Sequence, residues 1–394
     1  MTEAEAKPRR LRGHKATATC CIASRDRPGF VATSGEDGCI CWFDLRSKDV
    51  QLVTDVGNGP VTSLCFKSGN EDIIYVSSGK EVKSFDVHMP ASWRPLESYN
   101  YNKEEINQIV CNPKSSFLAC ADDGGDVKII DIRQHCLYKS LRAGHSSVSY
   151  LIYDKLTLSL SFNMHLICSS VQFIPWKPWE VISGGLDSKL VMWDFSKGRP
   201  NKIVNFGLPE NNGNAGQCYN PAFVHAIAIP DADMLDKTNK ICVVAKGDGV
   251  VDVINIESEL NISRSKSTTK PLKGSQSTSK VNIRDAEMEI LDQSGGKRLH
   301  LDYSVGGHTA AASCVAFSMF GERGKYLISG GNDKLVKVWD CSRFQGVQTS
   351  INNDLLIKNI NLNKKVNWLC TTPTESENLV VCDTSKVVKV YSIS

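Results

Sequence analysis

Seven recurrences of one strand ending, at a spacing of one blade, predict an all-β fold: a single seven-bladed β-propeller. The endings are Phe43-Asp44, Phe85-Asp86, Ile130-Asp131, Trp193-Asp194, Ile254-Asn255, Trp339-Asp340 and Tyr391-Ser392. Steps between their second residues are 42, 45, 63, 61, 85 and 52, so the two shortest give the bare period and the others carry insertions. A period near 42 matches one four-stranded blade. A closed ring of such blades is one object and takes up all 394 residues without a second domain.

Composition narrows the function classes. With 41% hydrophobic and 23% charged residues the chain reads as an ordinary soluble one. A net charge of +3 is too small to attract nucleic acid or a membrane by bulk electrostatics. The amino terminus MTEAEAKPRRLRGH is polar, so no secretory signal is expected. Of fifteen cysteines, Cys20, Cys41, Cys65, Cys111, Cys242, Cys314 and Cys370 fall in apolar strands and no CxxC pair occurs. That usage fits buried thiols in a reducing compartment, cytoplasmic and/or nuclear, rather than disulfides or zinc.

Two blades are best formed. One reads GGHTAAASCVAF then YLISGGNDKLVKVWD, placing His308, Ser329, Asp333 and Trp339; the other reads VISGGLDSKLVMWD, placing Ser183, Asp187 and Trp193 behind Gly144-His145. These stretches resemble the WD-repeat (WD40) β-propeller family, and the resemblance implies a hydrogen-bonded network of these four side chains in each blade. A turn aspartate accepts from amides and an imidazole N–H, and hydroxyl and indole N–H complete the chain. The same residue types make a catalytic triad, but a set that recurs at blade spacing is architecture. The first blade keeps His14, Thr33 and Asp37, with Phe43 in the Trp position. The other four lack the Gly-His pair, so their turns are expected to be held by packing. The glycine pairs at Gly124-Gly125, Gly184-Gly185 and Gly330-Gly331 are expected at turn positions of positive φ.

Blades are placed at about 13–57, 58–100, 101–143, 144–215, 216–304, 305–364 and 365–394, within a propeller covering 7–394. The last stops at its third strand, which would leave an open edge. The family resemblance implies that residues 7–12, KPRRLR, supply the missing outer strand. This segment also reads as a weak nuclear signal.

Two insertions stand out. Removing residues 148–166 turns blade 4 into GHSSICSSVQF, with the spacing of GHTAAASCVAF, and shortens the step of 63 to 44. These nineteen residues are an anomalous apolar insertion that suits translated intron sequence and is expected to protrude from the rim. Asp154, Lys155, Asn163 and His165 interrupt it, so it is not a membrane span. Residues 258–297, rich in Ser, Thr and Lys, read as a flexible loop, with a phosphorylatable or basic docking tail as the alternative.

No phosphate loop, dinucleotide fingerprint, metalloprotease helix or serine-hydrolase elbow is present, so no catalytic residue, metal site or cofactor is expected. Binding remains. Phe43-Asp44-Leu45-Arg46 and Ile130-Asp131-Ile132-Arg133 resemble the WDxR ending of WD-repeat substrate receptors of cullin-4 RING ubiquitin ligases, although neither copy has the Trp. That resemblance implies a scaffold whose Arg46 and Arg133 contact the damaged-DNA-binding-protein adaptor. A guanidinium at a strand exit suits a partner carboxylate, while a solvated strand-end charge is the plain alternative. Trp93, Trp176 and Trp179 are candidate anchors on the same face, or pack against their own blades. The other functional reading is a propeller that binds a peptide or histone tail through Glu36, Asp37, Glu104, Glu105, Asp122 and Asp123 on the opposite rim. A monomeric ring is expected.

Overall fold

The computed structural model describes residues 8–47, 50–57, 59–88, 94–114, 116–142, 145, 149–151, 161–163, 167–207, 219–266, 298–345 and 355–393. Among them are seven four-stranded sheets and one two-stranded hairpin. The seven sheets are the blades of a β-propeller. Each runs as strands A to D from the axis outward. Blade 4, for example, is Cys168–Phe173, Glu180–Gly185, Lys189–Asp194 and Arg199–Asn205, every pair antiparallel. In blade 7 the fourth strand is Arg9–Arg12, laid antiparallel on Val387–Tyr391 with Leu11 opposite Val388. The two ends of the chain therefore close the ring and cover its open edge.

Burial follows from stacking blades face to face. Strands B and C are covered on both faces, so Glu180–Gly185 and Lys189–Asp194 read as nearly continuous apolar runs. Strand D is outermost and alternates, as in Arg199–Asn205. The core is divided into seven apolar clusters, one at each junction between neighbouring blades. Trp368 packs against four of them, those joining blades 5 to 6, 6 to 7, 7 to 1 and 1 to 2. The cysteines in the described strands are free, and burial holds thiols such as Cys41 up at about 12, too high for a reactive thiolate.

Every strand A carries a bulge near its start, where pairing to strand B skips one residue, or two in blade 2. A bulge re-aims the unpaired side chain. The residues at this second position are Thr19, Thr62, Asn107, Ser169, His225, Ser313 and Asn367. Six of the seven donate to the carbonyl of the first strand-A residue of the next blade: Thr62 to Ile106 at 2.5 Å, Asn107 to Cys168 at 3.1 Å and Ser313 to Val366 at 2.7 Å, with Thr19 on Val61, Ser169 on Val224 and Asn367 on Ala18. His225 makes no such bond.

The polar networks sit at the turn between strands B and C. Trp339 Nε1–H donates to Ser329 Oγ at 3.0 Å, Ser329 Oγ lies 2.8 Å from His308 Nε2, and His308 Nδ1 lies 3.0 Å from Asp333. Since the carboxylate can only accept, Nδ1 carries the proton that faces it, and in the neutral imidazole Nε2 then accepts from the hydroxyl, which itself accepts from the indole. Blade 4 repeats this with Trp193, Ser183, His145 and Asp187 at 2.8, 2.9 and 3.0 Å. In blade 1 His14 lies 2.9 Å from Thr33 and 3.1 Å from Asp37, and Thr33 donates to the Cys41 carbonyl in place of receiving an indole. Burial is the largest single influence on Asp37 and Asp333 and would raise both, but it is outweighed in sum, for Asp333 by the His308 bond and charge with the Thr309 and Leu335 amides, and for Asp37 by the Lys15 and Cys39 amides with His14.

Three expectations are corrected. The remaining blades are not all held by packing alone. In blade 3 Asn102 stands in the histidine position and donates to Asp122 at 2.9 Å, in blade 5 Asp252 pairs with Lys246 and His300 at 3.1 and 2.6 Å, and in blade 7 Asp383 takes Lys389 and Ser385. Of the three glycine pairs only Gly124-Gly125 supplies a positive φ, at Gly125 with 76°, whereas in blades 4 and 6 it falls on Ser188 at 60° and Lys334 at 65°. Gly185 and Gly331 are needed for space, because a Cβ there would lie 2.5 Å from His145 Nδ1 and His308 Nδ1.

The expected loop 258–297 begins as a helix, Ile256–Lys266. Asn255 caps it by accepting from the Ser258 amide at 2.9 Å, Ile256 and Leu260 are buried one turn apart, and Glu259 takes Arg298 at 3.0 Å. Residues 267–297 lie outside the described residues. In the nineteen-residue insertion, Ser149–Leu151 pairs antiparallel with Ser161–Asn163, and the rest lies outside the described residues.

Candidate protein-docking surface

Strand order gives the ring two faces. One carries the A–B and C–D turns and therefore the strand exits at Arg46 and Arg133. Asp44 accepts from Arg46 Nε at 2.9 Å and Nη2 at 2.7 Å, and this fork holds the Asp44 carboxyl below its usual range. Arg46 is 81% exposed, with its guanidinium already committed along one edge. Arg133 differs. Asp131 accepts from the backbone amides of Arg133 and Gln134, and the Arg133 side chain is left facing a cleft between blades 2 and 3. The two arginines are not brought together, since blade 2 stands between them. At the channel mouth on this face, Arg25 of blade 1 reaches Asp231 of blade 5 at 2.5 Å.

The tryptophans separate as well. Trp179, on the A–B turn of blade 4, is 45% exposed and packs against Phe195 and Phe117 at ring distances of 5.5 and 5.8 Å, with Tyr138 at 6.3 Å. Tyr138 and Leu137 are themselves exposed, so blades 3 and 4 share an aromatic ledge seated on a rigid aromatic base. Trp176 is half-buried in the cluster between blades 4 and 5 and donates to Glu257 at 3.2 Å, so it serves packing. Trp93 lies outside the described residues.

The WD domain, G-beta repeat family model matches residues 6–44 and 300–340. The chain carries WD repeats in these two stretches. Among similar proteins, the WD repeat-containing protein 53 homolog of Dictyostelium discoideum is 25% identical over 410 residues, covering 98% of this chain and 94% of that one. Among solved structures, the WD40 beta propeller domain of Doa1 superposes with a TM-score of 0.63 at 12% identity, over 98% of this chain and 95% of that one. This second likeness is one of fold.

On the opposite face of the ring, the acidic residues are largely committed. Asp37 is bound by His14, and Asp122 by Asn102 and the amides of Gly124 and Asp126; burial nonetheless raises the Asp122 carboxyl. Glu104 pairs with Lys80 at 3.5 Å and Asp123 accepts from Asn107 at 2.8 Å, which leaves Glu36 and Glu105 exposed. Sequence reasoning missed Tyr138, Leu137, Lys67 and Lys114. For Tyr138 a signal existed: two consecutive apolar residues open the outer strand Cys136–Leu141, where alternation requires one of them to face solvent.

Proposed function

We propose that this WD-repeat ring is a non-enzymatic interaction scaffold that serves as substrate receptor for a cullin-4 RING ubiquitin ligase, taking the damaged-DNA-binding-protein adaptor on the face of the A–B and C–D turns. Propellers of this family generally act as non-enzymatic scaffolds that bind other proteins. The observation that carries the finer reading is the pairing of a strand-exit arginine with exposed aromatics: Arg133 on blade 3, with Tyr138 and Trp179 on the same face. Arginine and large aromatics are the residue types that dominate binding energy at protein interfaces. Arg46 is the weaker contributor, because its fork is occupied by Asp44. Affinity purification from cells tests the reading: adaptor recovery should fall with Arg46→Ala/Arg133→Ala, and most of the loss should come from Arg133→Ala alone. Unchanged recovery removes those residues from the role.

A further inference from the structure

The turns of blades 2 and 3 enclose a cleft of about 380 Å³. Lys67, Lys114 and Arg133 line it, and among the described residues none of these three side chains has an ion-pair partner. The carboxylate on its wall, Glu97, is already engaged: it accepts from the Tyr99 hydroxyl and lies 3.4 Å from His135 Nδ1. Ile73, Leu96 and Ile132 supply an apolar side, with Leu96 56% exposed. Elsewhere on the same face basic side chains near turns are matched, as in Lys197 with Asp194 at 2.7 Å, Arg323 with Asp233 at 2.5 Å and Arg343 with Asp340 at 3.3 Å. Here three cations converge on a hollow without that compensation.

Cations of one sign around a recess concentrate anions, and lysine and arginine N–H groups in such a recess bind best to charged oxygens. We propose that this cleft binds an oxyanion-bearing side chain, phosphate or carboxylate, of a peptide segment in a protein partner, with a neighbouring apolar residue of that segment against Leu96 and Ile132. Lys67 and Lys114 supply the point charges and Arg133 the planar fork. The inference rests on reading this face as a docking surface, and not on the identity of the ligase.

The test uses the full chain and three fluorescein-labelled degenerate heptapeptide pools whose central residue is phosphoserine, glutamate or serine. Anisotropy should show the phosphoserine or the glutamate pool binding about tenfold or more tighter than the serine pool. Which of the two it is names the source of the oxyanion. The preference should vanish in Lys67→Glu/Lys114→Glu and weaken in Lys67→Gln/Lys114→Gln, with thermal melts confirming that both variants are folded. Acylation of Lys67 and Lys114 should be protected by the preferred pool. Equal binding of all three pools, or binding unchanged in the charge-reversed variant, overturns the proposal. Neither lysine is used in the adaptor reading, so adaptor recovery with the same variants separates failure of one idea from failure of the other.

Discussion

Asn367 Nδ2 in the last blade donates to the carbonyl oxygen of Ala18 in the first at 3.1 Å. This bond is the closing member of a circle of bulge residues, each reaching the next blade, and it joins the two ends of the chain on the axis side as Arg9–Arg12 joins them at the rim. The one position that breaks the circle is His225.

Replacing His225 with asparagine should complete the circle. Asn107 and Asn367 already show that asparagine reaches the neighbouring carbonyl from this position. One neutral hydrogen bond contributes about 1 kcal/mol, a melting shift of roughly 1–2 °C in a chain of this size. The pH profile should change too. Burial depresses the His225 pKa, partly opposed by Asp248. The folded imidazole thus stays neutral where the unfolded one, with a pKa near ~6.5, takes up a proton. Stability is complete above that pH and falls as pH drops through it. In His225→Asn this slope should disappear, as read by urea denaturation between neutral and mildly acidic pH.

His308→Ala should cost about 2–3 kcal/mol, because it leaves buried Ser329 and Asp333 without their shared partner. The measurement is the urea midpoint at neutral pH. Asp333 titrates below its ordinary value because His308 and the Thr309 and Leu335 amides together outweigh burial, so its contribution is present above a pH of about 4 and is lost as pH falls below it. In the alanine variant that acid-side loss should shrink.

Lys334 holds a φ of 65° at the turn position where blade 1 has Gly38 at 71°. A left-handed side chain costs about 1 kcal/mol, so Lys334→Gly should raise stability by up to that amount in thermal melts, and Lys334→Val should lower it.

Deletion of residues 148–166 should leave the ring intact. His145 lies in its blade network with the same geometry as His308, so the insertion is absorbed without displacing His145. The expected result is an equal or higher melting temperature. A variant that fails to fold would show that the nineteen residues are integral to blade 4.

The seven endings from Asp44 to Ser392 made the ring legible, because strand C is buried on both faces in most blades and cannot hide its apolar run. The three full or partial histidine networks were equally readable from spacing. Asn102 could have been found the same way, since it lies five residues before Asn107 as His308 does before Ser313. The ring of bulge side chains was not readable as a ring, because a bulge is a pairing property between two strands. The docking surface was only half legible: a strand-exit arginine shows in sequence, but whether Asp44 occupies Arg46 or Asp131 leaves Arg133 free depends on rotamers. Lys67 and Lys114 are unremarkable turn residues until two blades bring them together.

The most direct measurement is binding of the purified damaged-DNA-binding-protein adaptor to the purified full chain by biolayer interferometry, with Arg133→Ala/Trp179→Ala on the proposed face and Glu36→Ala/Glu105→Ala on the other. The account predicts saturable binding that weakens about tenfold or more in the first variant and is unchanged in the second, with both variants folded at the assay temperature in thermal melts. No binding by the wild type, or loss only in the second variant, would contradict it.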